Sequence, residues 1–331
     1  MKIKQRPLTA ADLDKVVAID ASVSGRMRRS YFERRLAAAL REPNLHAQFA
    51  VDDEAGLAGY ILGRVLEGEF GRIQPAMRLE VVGVKPEARG RGIGLALERA
   101  IEEASRRRGL SEMRTGASWR DHQMLRFLDS AGYRLGRNQV VDCTIAEANL
   151  GPREEEPVVI EEQDRPGDRN DYSDNAANHF EHLARDMAEV HSLTEADLEA
   201  VVRIDRRLTG HDRGDYIRHK FREALSESAL RISLVAHKDG TAAGYLMASA
   251  DYGDFGRAEP VAVIDTIGVD PAFSHAGIGR ALLSQLFMNL DALRVERVES
   301  VVAKEHFELL GFLYRVGFGP SQRLAFVKAL A

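Results

Sequence analysis

One internal offset constrains this chain more than any other feature. Leu8-Thr9-Ala10-Ala11-Asp12-Leu13 returns as Leu193-Thr194-Glu195-Ala196-Asp197-Leu198, 185 residues later. The same offset carries Gly59-Tyr60 onto Gly244-Tyr245, Phe70-Gly71-Arg72 onto Phe255-Gly256-Arg257 and Gly83-Val84 onto Gly268-Val269. It also carries Gly92-Ile93-Gly94 onto Gly277-Ile278-Gly279, Phe127 onto Phe312 and Gly132-Tyr133 onto Gly317-Phe318. Self-similarity at one fixed spacing over so long a stretch is the mark of a duplicated unit. The chain therefore reads as two copies of one domain, residues 1–149 and 187–331, joined by a segment over 150–186 that has no counterpart at that offset. The joining segment is rich in Asp, Glu, Asn, Pro and Gly, which makes it a linker by composition. Its length argues that it packs across the two domains. A total of 331 residues suits two cores.

Within each copy the same order of elements is predicted. A short strand is followed by Thr9 or Thr194 as a helix N-cap, with Asp12 or Asp197 three residues on, a pattern like a capping box. The first helix carries Leu13, Val16 and Val17, or Leu198, Val201 and Val202, at the spacing of a core-facing stripe. Second helices begin near Tyr31 and Tyr216. Strands follow through Phe49–Val51 and Gly59–Leu62, matched by Ile232–Val235 and Gly244–Met247, and a third strand enters a glycine-rich turn. A long helix, a strand over Glu112–Ser118 or Arg297–Ala303, a short helix and a final strand complete each unit. The expectation is that this last strand closes its own domain.

The stretch Arg78–Arg108 holds the chemistry. Its turn, Arg89-Gly90-Arg91-Gly92-Ile93-Gly94, lines up backbone N–H groups just before a helix, whose first N–H groups are unpaired and carry partial positive charge. Such a turn cradles an anion, and the arginines add charge-assisted bonds. A dinucleotide fingerprint would need glycine where Leu95 stands, and a Walker loop would need Lys followed by Ser or Thr where the chain has Leu95-Ala96. Neither fits. The pattern Val84-x-Pro86-x-x-Arg89-Gly90-x-Gly92-x-Gly94, with strand before and helix after, resembles the acetyl-CoA loop of the GNAT superfamily of acyl-CoA-dependent N-acyltransferases.

That resemblance implies an α/β fold of two tandem GNAT-like domains, each a mixed, largely antiparallel sheet with a central splay and flanking helices. It implies acetyl-CoA as cosubstrate, held in the first copy by Val82, Gly83, Val84, Arg89, Gly90, Arg91, Gly92, Ile93 and Gly94. In the second copy the matching residues are Ile267, Gly268, Val269, His275, Ala276, Gly277, Ile278, Gly279 and Arg280. A backbone N–H near Val82–Val84 or Ile267–Val269 would stabilise the acyl oxygen beside a strand bulge, and Gly83 and Gly268 suit such a bulge or close ligand approach, the plainer alternative being packing space. The reaction would be acetyl transfer to a primary amine of a small molecule or protein. A lysine-like amine is less than about one part in a thousand neutral at pH 7, so a base is wanted. Glu80 and Asp265, equivalent at the offset, are the candidates; the plainer alternative for each is a salt bridge, for example to Arg78 or Arg257. Family members commonly place an acidic tyrosine where this chain has Leu128 and Leu313, with Tyr314 one position late; His122 and His306 lie nearby. That departure supports the alternative reading, a noncatalytic acyl-CoA-binding sensor or scaffold.

Composition excludes other classes. Hydrophobic residues make up 44% and charged residues 29%, and no apolar run reaches membrane-spanning length. Met1–Leu13 has no apolar signal core, and Cys143, the single cysteine, cannot form an internal disulfide, so the expected location is the cytoplasm. A net charge of −5 gives no basic footprint for nucleic acid. Arg106, Arg107 and Arg108 read as a helix C-terminus complementing its dipole. No metal is expected: His179, His182 and Asp186 share a helical face, but a solvated polar face explains them. Glu67 and Glu69, matched by Tyr252 and Asp254, could meet a cationic amine. The two copies are expected to form a pseudo-dimer within one chain.

Overall fold

The computed structural model describes residues 4–66, 68, 74–148, 188–227, 232–251 and 261–330. The linker with His179, His182 and Asp186, and the residues Glu67, Glu69, Tyr252 and Asp254, lie outside the described residues.

The first copy runs β1 (Lys4–Pro7), α1 (Leu13–Ser24), α2 (Arg29–Arg41), β2 (His46–Asp53), β3 (Gly56–Leu66) and β4 (Ala76–Val84). It continues with α3 (Ile93–Arg107), β5 (Glu112–Ser118), α4 (His122–Ser130), β6 (Arg134–Leu135) and β7 (Asn138–Thr144). The second copy repeats the order as β8 (Glu189–Ser192), α5 (Leu198–Thr209), α6 (Gly214–Arg222), β9 (Leu234–Lys238), β10 (Thr241–Asp251) and β11 (Val261–Val269). Then come α7 (Ile278–Ala292), β12 (Arg297–Ala303), α8 (Phe307–Arg315), β13 (Gly319–Pro320) and β14 (Arg323–Ala329). Both threonine caps form true capping boxes, with Asp12 and Asp197 as the reciprocal partners.

Helices cover both faces of each sheet. In the first copy Val16 and Ile19 of α1 and Phe32 and Leu36 of α2 pack on Tyr60, Leu62 and Val81. On the opposite face Ile93, Leu97 and Ile101 of α3 pack on Ile61, Met77 and Leu79. The apolar positions of α3 recur every three or four residues, so one stripe is buried while Arg106 and Arg107 pair with Glu102 and Glu103 one turn earlier. Arg108 leaves the helix and donates to the carbonyls of Pro43, Asn44 and His46, which ties the helix end to the α2–β2 loop.

The sheets do not follow the chain halves. The first has the order β1-β2-β3-β4-β5-β14-β6 and the second β8-β9-β10-β11-β12-β7-β13. Each copy gives its last strand to the other: β14 runs antiparallel to β5 from Arg323 opposite Ser118 to Ala329 opposite Glu112. In return β7 lies against β12, from Arg297 opposite Thr144 to Ala303 opposite Asn138. The expectation that the last strand closes its own domain is therefore corrected. The physical reason is that β7 and β14 are the same element at the 185-residue offset, so either sheet edge offers either strand an equivalent ladder. Lys328 on β14 fixes the exchange from the side, its Nζ lying 2.8 Å from Glu98 and 2.6 Å from Glu102 of α3.

Candidate active site

The site begins at a break in the sheet. Strands β4 and β5 are parallel but pair only at Met77 with Met113 and Arg78 with Arg114, and then diverge. In the second copy β11 and β12 pair from Val261–Arg297 to Ile264–Ser300. The vertex of each opening is filled by a hydroxyl: Thr115 donates to the Leu79 carbonyl (3.0 Å), and Ser300, its equivalent, to the Ile264 carbonyl (3.1 Å). A bulge produces the divergence. Across β3 and β4 the register passes from Leu62–Val81 to Gly63–Leu79 and leaves Glu80 unopposed; across β10 and β11 it passes from Met247–Thr266 to Ala248–Ile264 and leaves Asp265 unopposed. An extra residue bends and twists its strand, here away from the neighbour on the far side.

Beyond the bulge the backbone presents donors to the opening. Lys85 N–H donates to the Ala58 carbonyl, and Asp270 N–H to that of Ala243. Since bonded pairs alternate along an antiparallel ladder, Gly83 and Gly268 face the inner partner strand, while Val82 and Val84, or Ile267 and Val269, turn their N–H groups toward the splay.

The opening leads to the glycine loop. Gly90 and Gly92 sit at φ +75° and +77°, the left-handed region, and Gly92 is the N-cap of α3, with no side chain capping the helix. The loop N–H groups thus converge ahead of a helix N-terminus, the arrangement an oxyanion or pyrophosphate satisfies. Arg89 lies beside it, reaching Gln123 Oε1 at 3.3 Å. The second loop keeps the shape with different residues: His275 takes φ +61° where the first has Gly90, and Gly277 keeps φ +76°. A non-glycine residue held there costs about 1–2 kcal/mol, so the second loop retains its conformation against a local preference. The residues predicted to hold a cosubstrate phosphate are brought together in both copies, and their donor set fits one.

The two candidate bases are already partnered. Arg35 of α2 donates from Nε to Glu80 Oε2 (2.5 Å) and from Nη2 to the Gly63 carbonyl (2.7 Å). Lys220 of α6, equivalent to Arg35 at the offset, lies 3.1 Å from Asp265. Burial alone would raise the pKa of Glu80, but the nearby Arg35, Arg64 and Arg78 prevail and hold it below the ordinary carboxylate range. Glu80 is 9% exposed and stays ionised. Salt bridges were the plainer alternative, and Arg35 and Lys220 make them; Arg257 lies outside the described residues.

These pairs also meet between the copies. Arg64 of β3 pairs with Glu223, whose other oxygen lies 3.3 Å from Lys220. Burial lowers the pKa of His219 to about 4, with Arg64, Lys220 and Arg222 adding to the effect. The same cause, with Arg35 and Arg64, lowers that of His46 to about 2. Both imidazoles are neutral at pH 7, so the closeness of His219 to Glu42 and Glu223 is not an ion pair there.

Gly83 and Gly268 follow the plainer of their two readings, packing space. A Cβ at Gly83 would lie 2.4 Å from the ring of Tyr60, directly opposite on β3, and one at Gly268 would meet Leu208 at 2.6 Å and Tyr245 at 2.7 Å. The glycines make room for buried tyrosines, and the bulge lies earlier, at Glu80 and Asp265. Each tyrosine belongs to a buried network that sequence reasoning missed. Arg28 donates to Asp20 (Nε to Oδ2, 2.8 Å), which accepts from Tyr60 OH (3.2 Å); Arg213 donates to Asp205 (3.0 Å), which accepts from Tyr245 OH (2.7 Å). Burial first, then the adjacent Asp20, holds the Tyr60 hydroxyl protonated. The signal was present: Asp20, Arg28 and Tyr60 recur identically as Asp205, Arg213 and Tyr245. In the short helices Leu128 is fully buried and Leu313 nearly so, and neither offers an acid. Tyr314 is exposed and accepts from Gln139 Nε2 (2.7 Å). His122 and His306 are exposed.

The bulged strand, the splay and the glycine cradle at a helix start recur together in both copies. The sequence profile of the acetyltransferase (GNAT) family matches residues 16–133 and 198–318, and the chain belongs to that family. Solved structures share the fold. A tandem GNAT protein from the clavulanic acid biosynthesis pathway matches with TM-score 0.63 and 16% identity, over 100% of this chain and 99% of that one. A GCN5-related N-acetyltransferase from Sphaerobacter thermophilus matches with TM-score 0.56 and 16% identity, over 99% and 96%. A fungal multi-domain GH3 β-N-acetylglucosaminidase with a GCN5-related glucosamine N-acetyltransferase region gives TM-score 0.63 and 13% identity, over 98% of this chain; this chain spans 38% of that one. Comparison with curated proteins gives no match. Among the described residues no helix is long and apolar enough to cross a membrane.

Proposed function

We propose that the chain is an acetyl-CoA-dependent N-acetyltransferase whose working site is in the first copy, acting on a primary amine. The observation that carries this reading is the loop Arg89–Gly94, with two left-handed glycines feeding an uncapped helix beside a splayed strand. When bound, acetyl-CoA supplies an activated thioester. The loop N–H groups and Arg89 would hold its phosphates, and the N–H groups of Val82 and Val84 would receive the acyl oxygen.

Support for a protein base is weaker. Glu80 is committed to Arg35 and held ionised at low pKa, which suits it to fixing the bulge more than to taking a proton from an amine. The amine then loses its proton to solvent, which favours acceptors of low pKa such as α-amino groups, near 7.7–8.0, over lysine side chains near 10.4. Thiol release from acetyl-CoA across a panel of aromatic amines, α-amines and lysine peptides, in the wild type and in Gly92→Val, tests the reading. Turnover with some amine, lost in Gly92→Val, supports it; cofactor binding without turnover supports the noncatalytic acyl-CoA-binding alternative, which the buried leucines at 128 and 313 favour.

A further inference from the structure

At the edge of the second sheet, away from the splay, three side chains converge. His191 of β8 and His237 of β9 stack with centroids 4.8 Å apart, and His191 Nε2 lies 3.0 Å from His237 Nδ1. His237 Nε2 lies 3.9 Å from Oδ1 of Asp197, in the turn before α5. One donor atom from each of the three lies within 4.8 Å of the other two.

The first copy shows what this position requires. There Arg6, Asp12 and Asp52 occupy the equivalent places, and the guanidinium lies between two carboxylates: Nη1 to Asp12 Oδ2 at 2.7 Å, Nη2 to Asp12 Oδ1 at 2.8 Å, Nε to Asp52 Oδ2 at 2.6 Å. The second copy has lost that cation. Asp197 remains 7% exposed, with Oδ2 accepting from Thr194 N–H (2.9 Å) and Oγ1 (2.7 Å), while Oδ1 faces the histidine pair. Lys4 has become Glu189, which stands opposite His237 in the register. Two carboxylates therefore face two imidazoles where the first copy balances two basic residues against two acidic ones. A hydrogen bond between the rings accounts for the histidines, but among the described residues no Lys or Arg pairs with the buried carboxylate.

We propose that His191, Asp197 and His237 bind one divalent transition-metal ion, zinc by preference, which takes the place of the first copy's guanidinium. Two imidazoles and a carboxylate are the donor set borderline metals prefer, and one donor atom from each residue lies within 4.8 Å of the other two. A tetrahedral shell with bonds of about 2.0–2.2 Å sets donors roughly 3.3–3.5 Å apart, a span that small side-chain rotations of the two imidazoles reach. Water or Glu189 would complete the shell.

The test uses the full-length, untagged chain stripped with a chelator. Zinc titrated calorimetrically should bind saturably at one ion per chain and raise the unfolding temperature, and His237→Gln should weaken binding at least tenfold. The double substitution His191→Arg, His237→Asp rebuilds the first copy's arrangement; it should fold, unfold near the wild-type temperature and lose the zinc response. Absence of saturable zinc binding by the wild type would overturn the proposal. So would binding that persists unchanged in both variants, which would place the ion elsewhere.

Discussion

Replacing Glu80 with Gln separates the two duties a carboxylate at the bulge can have. If it is an ion-pair member, the variant leaves Arg35 buried with its charge unanswered, next to Arg64. Arg35 Nη1 already lacks a hydrogen-bond partner among the described residues, so little remains to absorb the loss. The bond itself weakens from charged to neutral, a difference of about 1 kcal/mol, while stranding a buried charge costs about 3–5 kcal/mol. The Nη2 bond to the Gly63 carbonyl survives, which places the expected loss near about 3 kcal/mol. Urea unfolding of the wild type, Glu80→Gln, Arg35→Met and the double variant measures it. The double variant removes both charges and should recover much of the loss, giving a coupling of roughly 2 kcal/mol or more. Below the unfolding range, kcat/KM with the best amine should change less than tenfold and keep its dependence on the fraction of neutral amine. The opposite pattern refutes the reasoning: unchanged stability with turnover down about 10²- to 10⁴-fold and restored at high pH would make Glu80 the base.

Further expectations follow from the same geometry. Gly92→Val should leave the protein folded, because nothing lies within 4 Å of the new Cβ, yet abolish cosubstrate binding at the first copy, because valine resists φ +77°; unchanged binding measured by calorimetry would refute the cradle. In the full-length chain, the site left by Gly277→Val should bind acetyl-CoA about 10²- to 10⁴-fold more tightly than the one left by Gly92→Val, since the second loop lacks counterparts of Arg89 and Arg91; equal affinities would overturn the ranking. Deleting β14 should destroy cosubstrate binding in the first copy, and a truncated chain that binds normally and unfolds cooperatively would show the exchanged strand to be dispensable. His46 and His219 have lowered folded-state pKa values, so the unfolded chain binds more protons below pH 6.5; their stabilisation is complete above that pH and falls by about 1.4 kcal/mol per unit for each as pH drops toward 4. Urea midpoints that do not move between pH 7 and 5 would contradict this.

The candidate site was legible where a residue's role depends on backbone conformation alone. Gly90 and Gly92 announce left-handed positions whatever surrounds them, and the strand, proline and helix around them set their order. Glu80 and Asp265 were found by the offset, but their partners were not, because Arg35 and Lys220 lie 45 residues away on helices whose rotation about the sheet no local pattern specifies. At Gly83 two readings stayed open for a related reason. A strand glycine signals missing space, and only the cross-strand register, which brings Tyr60 opposite it, says what fills that space.

The strand exchange lay beyond sequence reasoning for a different reason, which follows from the duplication itself. Hydrophobic alternation specifies which face of β7 or β14 is buried, and it fixes the register against a neighbouring strand. It says nothing about which of two equivalent neighbours supplies the edge. In a duplicated chain β5 and β12 offer nearly the same ladder, so pairing energy alone does not choose between the swapped and unswapped arrangements. The choice falls to connections and to contacts made only in one arrangement, such as Lys328 with Glu98 and Glu102, or Ser321 and Arg297 with Asp142. At the offset Lys328 corresponds to Cys143, and Glu98 to Leu283, so an unswapped first sheet would set a cysteine against the buried Glu98. Burial pushes the Glu98 carboxyl upward and the Lys328 ammonium opposes it, a pairing that an unswapped chain cannot make. The divergence of the two copies at this strand thus stabilises the exchange, and makes each half of the chain a part of the other's fold.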